Sequence, residues 1–162
     1  MATLTSTITE SISLNGADRG STNTLSIASV TQVFHRIVTC PADQDTTVAT
    51  FASTVDDSTG AAGSNSVGSL DVGDVKYVRV TNLGSNSINL SLQVETGSSD
   101  TAADESATIL IEAGKSFIMG ATTSAIAVND TNANIDTTMH HLESLLIDPG
   151  SNSVTVEVFI AS

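Results

Sequence analysis

Apolar and polar residues alternate along most of this chain with a period of two, the spacing of a strand whose side chains point in turn to opposite faces. Leu4, Ser6, Ile8, Glu10, Ile12 and Leu14 share one parity, and Thr3, Thr5, Thr7, Thr9, Ser11 and Ser13 share the other. This predicts a half-buried strand with a hydroxyl-clad outer face. It stops at Asn15-Gly16, where both residues tolerate the positive φ of a tight turn. A second extended region is expected from about Thr24 to Thr39 with a break near Ala28-Ser29, ended by Pro41 and the cluster Asp43-Gln44-Asp45.

A strand follows around Thr47 to Val55, and then residues 56–69, DDSTGAAGSNSVGS, lose all apolar periodicity. Their Gly and Ser content predicts a flexible loop or arm within one domain, since the flanking pieces are too small to fold alone. From Val75 to Thr81, and again at Ile88, Leu90, Leu92 and Val94, the strand signal returns, with Asn82 to Asn86 read as the turn of a hairpin. Further strands are predicted at Thr108–Glu112, at Ser116–Met119 beyond the Ala113-Gly114 turn, and at Ala125–Val128. A closing hairpin is read from Leu142–Ile147, a turn at Asp148 to Asn152, and Val154, Val156, Val158 and Ile160. Met139, Leu142, Leu145 and Leu146 also fit helical spacing, so one helical turn near His140 stays open. Nine to ten short strands with no βαβ spacing predict an all-β fold, an antiparallel β-sandwich of jelly-roll type, as a single domain over residues 1–162.

Composition sharpens this picture. Hydrophobic residues make up 40% and aromatics only 3%, so the core must be aliphatic. Five basic against 18 acidic residues give a formal charge of -13, which opposes binding to nucleic acid or to an anionic membrane surface. No run approaches the roughly 18 apolar residues of a membrane span. The opening MATLTSTITE has neither a basic region nor an apolar run, so no cleaved signal peptide is expected. The single cysteine, Cys40, allows no intramolecular disulfide and reads as a small buried hydrophobe.

The outward parity consists of Thr, Ser and Asn where soluble sheets usually carry Lys and Glu, while the acids gather in loops. A hydroxyl-covered sheet can be pressed against another subunit without desolvating ions. The strand propensity of Thr accounts for the same composition without any partner.

Chemistry-bearing motifs are sparse. His35, His140 and His141 could serve a metal or acid–base site with an acid such as Glu143, but consecutive His140 and His141 on a strand point apart. HExxH, GxSxG, GxGxxG and Walker-type loops do not occur. Asp130, Asn132, Asn134 and Asp136 place oxygen ligands at alternate positions as calcium loops do, yet Ile135 stands where an EF-hand needs Gly and no Glu completes the loop. They remain the candidate for an irregular cation site. No catalytic residue and no cofactor is expected.

The segments DVKYVRVTNLGSNSINLSLQVE, ILIEAGKSFIMG and SVTVEVFIAS, together with the opening TLTSTITESISLNG, resemble small β-rich virion proteins of tailed bacteriophages, marine ones in particular. The resemblance implies a non-enzymatic structural role: a capsid decoration or cement protein, assembled in the host cytoplasm as oligomers, trimers among them, on a major capsid protein lattice. A small tail or fibre component is the alternative. A carbohydrate-binding host-contact module is a third reading, with Tyr77 as the residue on which a sugar would stack.

Overall fold

Asn15 and Gly16 hold φ values of 52° and 76°, which lets two antiparallel strands meet across a two-residue loop. Strands β1 (Ala2–Glu10), β2 (Ser13–Leu14), β3 (Ala17–Asp18) and β4 (Ser21–Val30) therefore make one long hairpin. Its register is unbroken from Leu4↔Ile27 through Glu10↔Ser21 to Leu14↔Ala17. Between the two ladders the Arg19 amide donates to the Ile12 carbonyl at 2.9 Å. Glycine is required at Gly20, where any side chain would run into the Glu10 carbonyl. At the base of the ribbon the register shifts between Ala2 and Leu4, and Ser29 across from it takes φ 60°, the signature of a bulge.

The structure, a computed structural model, describes residues 2–52, 70–71, 73–94, 105–128 and 139–162. Beyond the ribbon lie β5 (Val33–Cys40), β6 (Thr46–Ala52), β7 (Leu70–Asp71), β8 (Tyr77–Asn82) and β9 (Ile88–Val94). The rest are β10 (Glu105–Ile111), β11 (Ser116–Gly120), β12 (Ala127–Val128), β13 (His140–Asp148) and β14 (Val154–Ala161). One sheet runs β10-β9-β13-β6-β7 with β12 beside β13; the other runs β11-β8-β14-β5. Neighbours are antiparallel throughout except β6 and β7. Ten strands exceed two residues and no helix occurs among the described residues, so the expected all-β sandwich stands.

The sheets enclose one aliphatic core. Leu90, Leu92, Leu145 and Ile147 from the first meet Val78, Val80, Val156, Val158 and Ile160 from the second, each at most 2% exposed. Full burial of such side chains is worth roughly 1.5–3 kcal/mol apiece, so these alternating positions hold the layers together, with Phe51 the one ring among the described buried residues of this core.

Several expectations change. The segments read as hairpins at Asn82–Asn86 and Asp148–Asn152 are arches: β8 and β9 belong to different sheets, as do β13 and β14. Alternation fixes which side of a strand faces the core but not which layer the strand joins. The first arch is held by Asn82, which is fully buried. Its Nδ2 donates to the carbonyls of Asn86 (2.7 Å) and Ile111 (3.2 Å), and its Oδ1 accepts from the Gly84 amide at 2.9 Å. The region from Thr24 to Thr39 divides at Thr31-Gln32 rather than at Ala28-Ser29, because Ser162 bonds to both residues there: Thr31 N–H to its carbonyl (2.8 Å) and its own N–H to Gln32 (3.1 Å). No helical turn forms near His140, which begins β13. The first strand is mostly exposed rather than half-buried, since only the base of its hairpin lies on the body. The loop at 56–69 and the cation candidates Asp130, Asn132, Asn134 and Asp136 lie outside the described residues.

Candidate functional site

Two outward sheet faces and the ribbon are the surfaces from which a function can be built. In the first sheet the inward parity is the core, and the outward parity is set by the pairings Thr108↔Ser91, Leu110↔Asn89, Ser91↔Leu146 and Gln93↔Ser144. Thr50 pairs with Ser144 and Thr47 with Leu146 at the β6 side. The result is a field of hydroxyls and amides with Leu110 standing 63% exposed within it. Asn89 Nδ2 donates to Asp148 Oδ2 at 3.4 Å and Gln93 Nε2 to Ser91 Oγ at 2.6 Å. A depression of about 350 Å³ opens here, lined by Asp45, Asn89, Ser91, Gln93, Thr108, Leu146 and Asp148. Charge enters only at its rim, through Asp45 and Asp148, both next to turns.

The outer face of the second sheet carries a charged row. Strand register places His35 opposite Phe159, Phe159 opposite Arg79, and Glu157 opposite Thr81. Glu157 receives a hydrogen bond from Arg79 NH1 at 2.7 Å and one from His35 Nε2 at 2.8 Å. Arg79 NH1 also donates to Thr81 Oγ1 at 2.7 Å and lies 5.9 Å from the Phe159 ring centre. The Arg79 guanidinium first, and His35 second, hold the Glu157 carboxyl below the usual glutamate range. Sequence reading missed this group: its members come from three strands, and only the register brings them together.

The ribbon lies across part of the same face. Ile27, Val30, Tyr77 and Ala161 are buried in one cluster, with Leu4, Leu25 and Phe159 packed against it. Ser6 Oγ lies 3.3 Å from the Tyr77 hydroxyl. Leu25 sits so close over Gly120 that a methyl there would come within 2.5 Å of its Cδ2. The ribbon thus crosses β14, β8 and the end of β11, and its remaining length stands clear of the other described residues.

The histidines of the sequence reading are not gathered. His140 pairs with Val128 and His141 with Ala127, and as neighbours on a strand they face opposite ways. His35 is bound to Glu157 on the other sheet. Glu143 has one buried carboxylate oxygen, Oε2, without a hydrogen-bond partner among the described residues. Among those residues no three His, Cys, Asp or Glu side chains are grouped to hold a metal ion. Cys40 is buried at the end of β5, and desolvation pushes its thiol up despite a hydrogen bond with Thr46. Tyr77 is 4% exposed, beneath the ribbon, and Phe34, Phe51, Phe117 and Phe159 are buried or half-buried. Comparison with protein-family models, curated proteins and solved structures finds no match to this chain.

Proposed function

We propose that this chain is a non-enzymatic virion structural protein, a capsid decoration subunit that works in many copies by covering a protein lattice. The observation that carries the reading is the outer face of the first sheet, where hydroxyls, amides and Leu110 replace the charges expected on an exposed sheet. Such a face desolvates cheaply, and its donors and acceptors can be satisfied across a contact. The resemblance to phage virion proteins supports the same role. The charge of -13 confers solubility and repels neighbours that approach on an acidic side. The sugar-binding alternative loses its anchor, because Tyr77 has no open ring face on which to stack a saccharide.

The test is co-sedimentation of the full chain with phage heads and with DNA-free tails, alongside a Thr47→Lys, Thr108→Lys variant, both positions being exposed on this face and separated by β9 and β13. Surface substitutions of this kind leave folding within about 0.5 kcal/mol, but two buried ammonium groups would oppose docking. Decoration predicts binding to heads and its loss in the variant. Binding to tails alone would assign the protein to the tail, and binding to neither would end the virion reading.

A further inference from the structure

The aliphatic face of the ribbon does not stop where the body stops. Leu4, Leu25 and Ile27 are covered by Tyr77, Phe159 and Ala161, yet the same face continues outward through Ile8, Ile12 and Leu14, which are 47%, 55% and 57% exposed and share it with Glu10 and Arg19. The opposite face is hydroxyl-bearing along its length, from Thr3 to Ser13. An isolated two-stranded ribbon is marginal in water, and none of the described residues covers the distal aliphatic side chains. Direction supplies the occupant. The ribbon leaves the second sheet over the β11 edge; apart from Ile118 on β11 itself, 39% exposed, the exposed large aliphatic residues of that sheet's outer face are Val33 and Ile37, 55% and 65% exposed, on β5 at the opposite edge. A second copy placed beside the first would meet the overhang with that edge. The contact would continue, between molecules, the packing that the ribbon base makes within one. Charge agrees: residues 2–30 carry only Glu10, Asp18 and Arg19, a net -1 of the chain's -13, and residues 31–42, which include β5, carry Arg36 and no acid, so the two sides of this contact escape most of the repulsion between like-charged copies.

We propose that the distal ribbon is a strap that lies across β5 of a second copy of this chain and joins copies head to tail. The overhang, about eight residues long and two strands wide, covers roughly 27 by 10 Å, or on the order of 500 Å² of total surface. That is well under the roughly 1,200 Å² of a stable interface, so a single strap contact is weak and a closed ring, in which every copy gives one strap and receives one, is the stable form. This inference rests on the assembly reading but fails separately from it.

The experiment measures the mass of the full chain by sedimentation velocity at micromolar concentration, for the wild type, Leu14→Asp and Ile37→Asp. The strap predicts a ring for the wild type and a roughly hundredfold weaker association for each variant, with strand content and melting unchanged. A second measurement mixes Leu14→Cys and Ile37→Cys chains under mild oxidation, and the strap predicts mixed disulfide dimers well in excess of either homodimer. Oligomers that persist in both variants, or cysteines that do not pair across chains, would overturn the strap while leaving the assembly reading in place. A wild-type monomer that still binds phage heads would do the same and assign the ribbon to the lattice protein. A wild-type monomer that binds no particle would end both.

Discussion

At the scale of single residues, two polar side chains carry stability that an all-aliphatic core does not explain. Asn82 is fully buried and saturates three backbone groups of its arch. Asn82→Ala strands those groups, so we expect a loss of about 3 kcal/mol and a fall in Tm of roughly 6–12 °C for a chain of this size, read by calorimetry. Asn82 appears in the sequence simply as a turn residue; its burial depends on the chain crossing between sheets there. Glu157 behaves differently. Its carboxyl is held low by Arg79 and then His35, so the bonded carboxylate stabilises the fold above the ordinary glutamate range, about 4.3, and that contribution is lost as pH falls further through the depressed value. Because the group is partly exposed, its worth is at most about 1 kcal/mol. Denaturant unfolding should show Glu157→Gln less stable than wild type at pH 7 and by a smaller margin at pH 3. An equal gap at both would remove the ion pair from the account.

At the scale of elements, alternation made most strands legible. Leu90 and Leu92, or Val156 and Val158, announce one apolar side, and burial follows parity through β9 and β14. The layer each strand joins was not legible, because a five-residue connection such as 83–87 serves a hairpin and an arch equally well. The ribbon misled for a related reason. Ile8, Ile12 and Leu14 keep the pattern of a half-buried strand although none of the described residues covers them. The candidate site was legible as composition, in the hydroxyls of the outward parity, but the Arg79–Glu157–His35 row was not, since it depends on β14 lying between β5 and β8. The ribbon's hold on the body is confined to its base, and Gly120 permits it by letting Leu25 approach. Gly120→Val should lift the ribbon, speeding amide hydrogen exchange along β1 and β4 while β9 and β14 stay protected. Unchanged exchange in the ribbon would show that its base is held by something other than this contact.

At the scale of the whole molecule, a two-layer body whose first sheet presents hydroxyls, amides and Leu110 outward is suited to packing beside others of its kind. The charge of -13 opposes that association at low ionic strength, and salt relieves the opposition by shortening the range of repulsion to about 10 Å at 0.1 M. Association through apolar and hydroxyl-bearing faces should therefore strengthen with salt, whereas contacts made by ion pairs would weaken. The most direct measurement is the mass of the full chain in solution at micromolar concentration, followed from low salt to 0.5 M. A species several times 16.5 kDa that grows in with salt is the predicted result; a 16.5 kDa particle at every salt concentration, bound to no larger body, would contradict it.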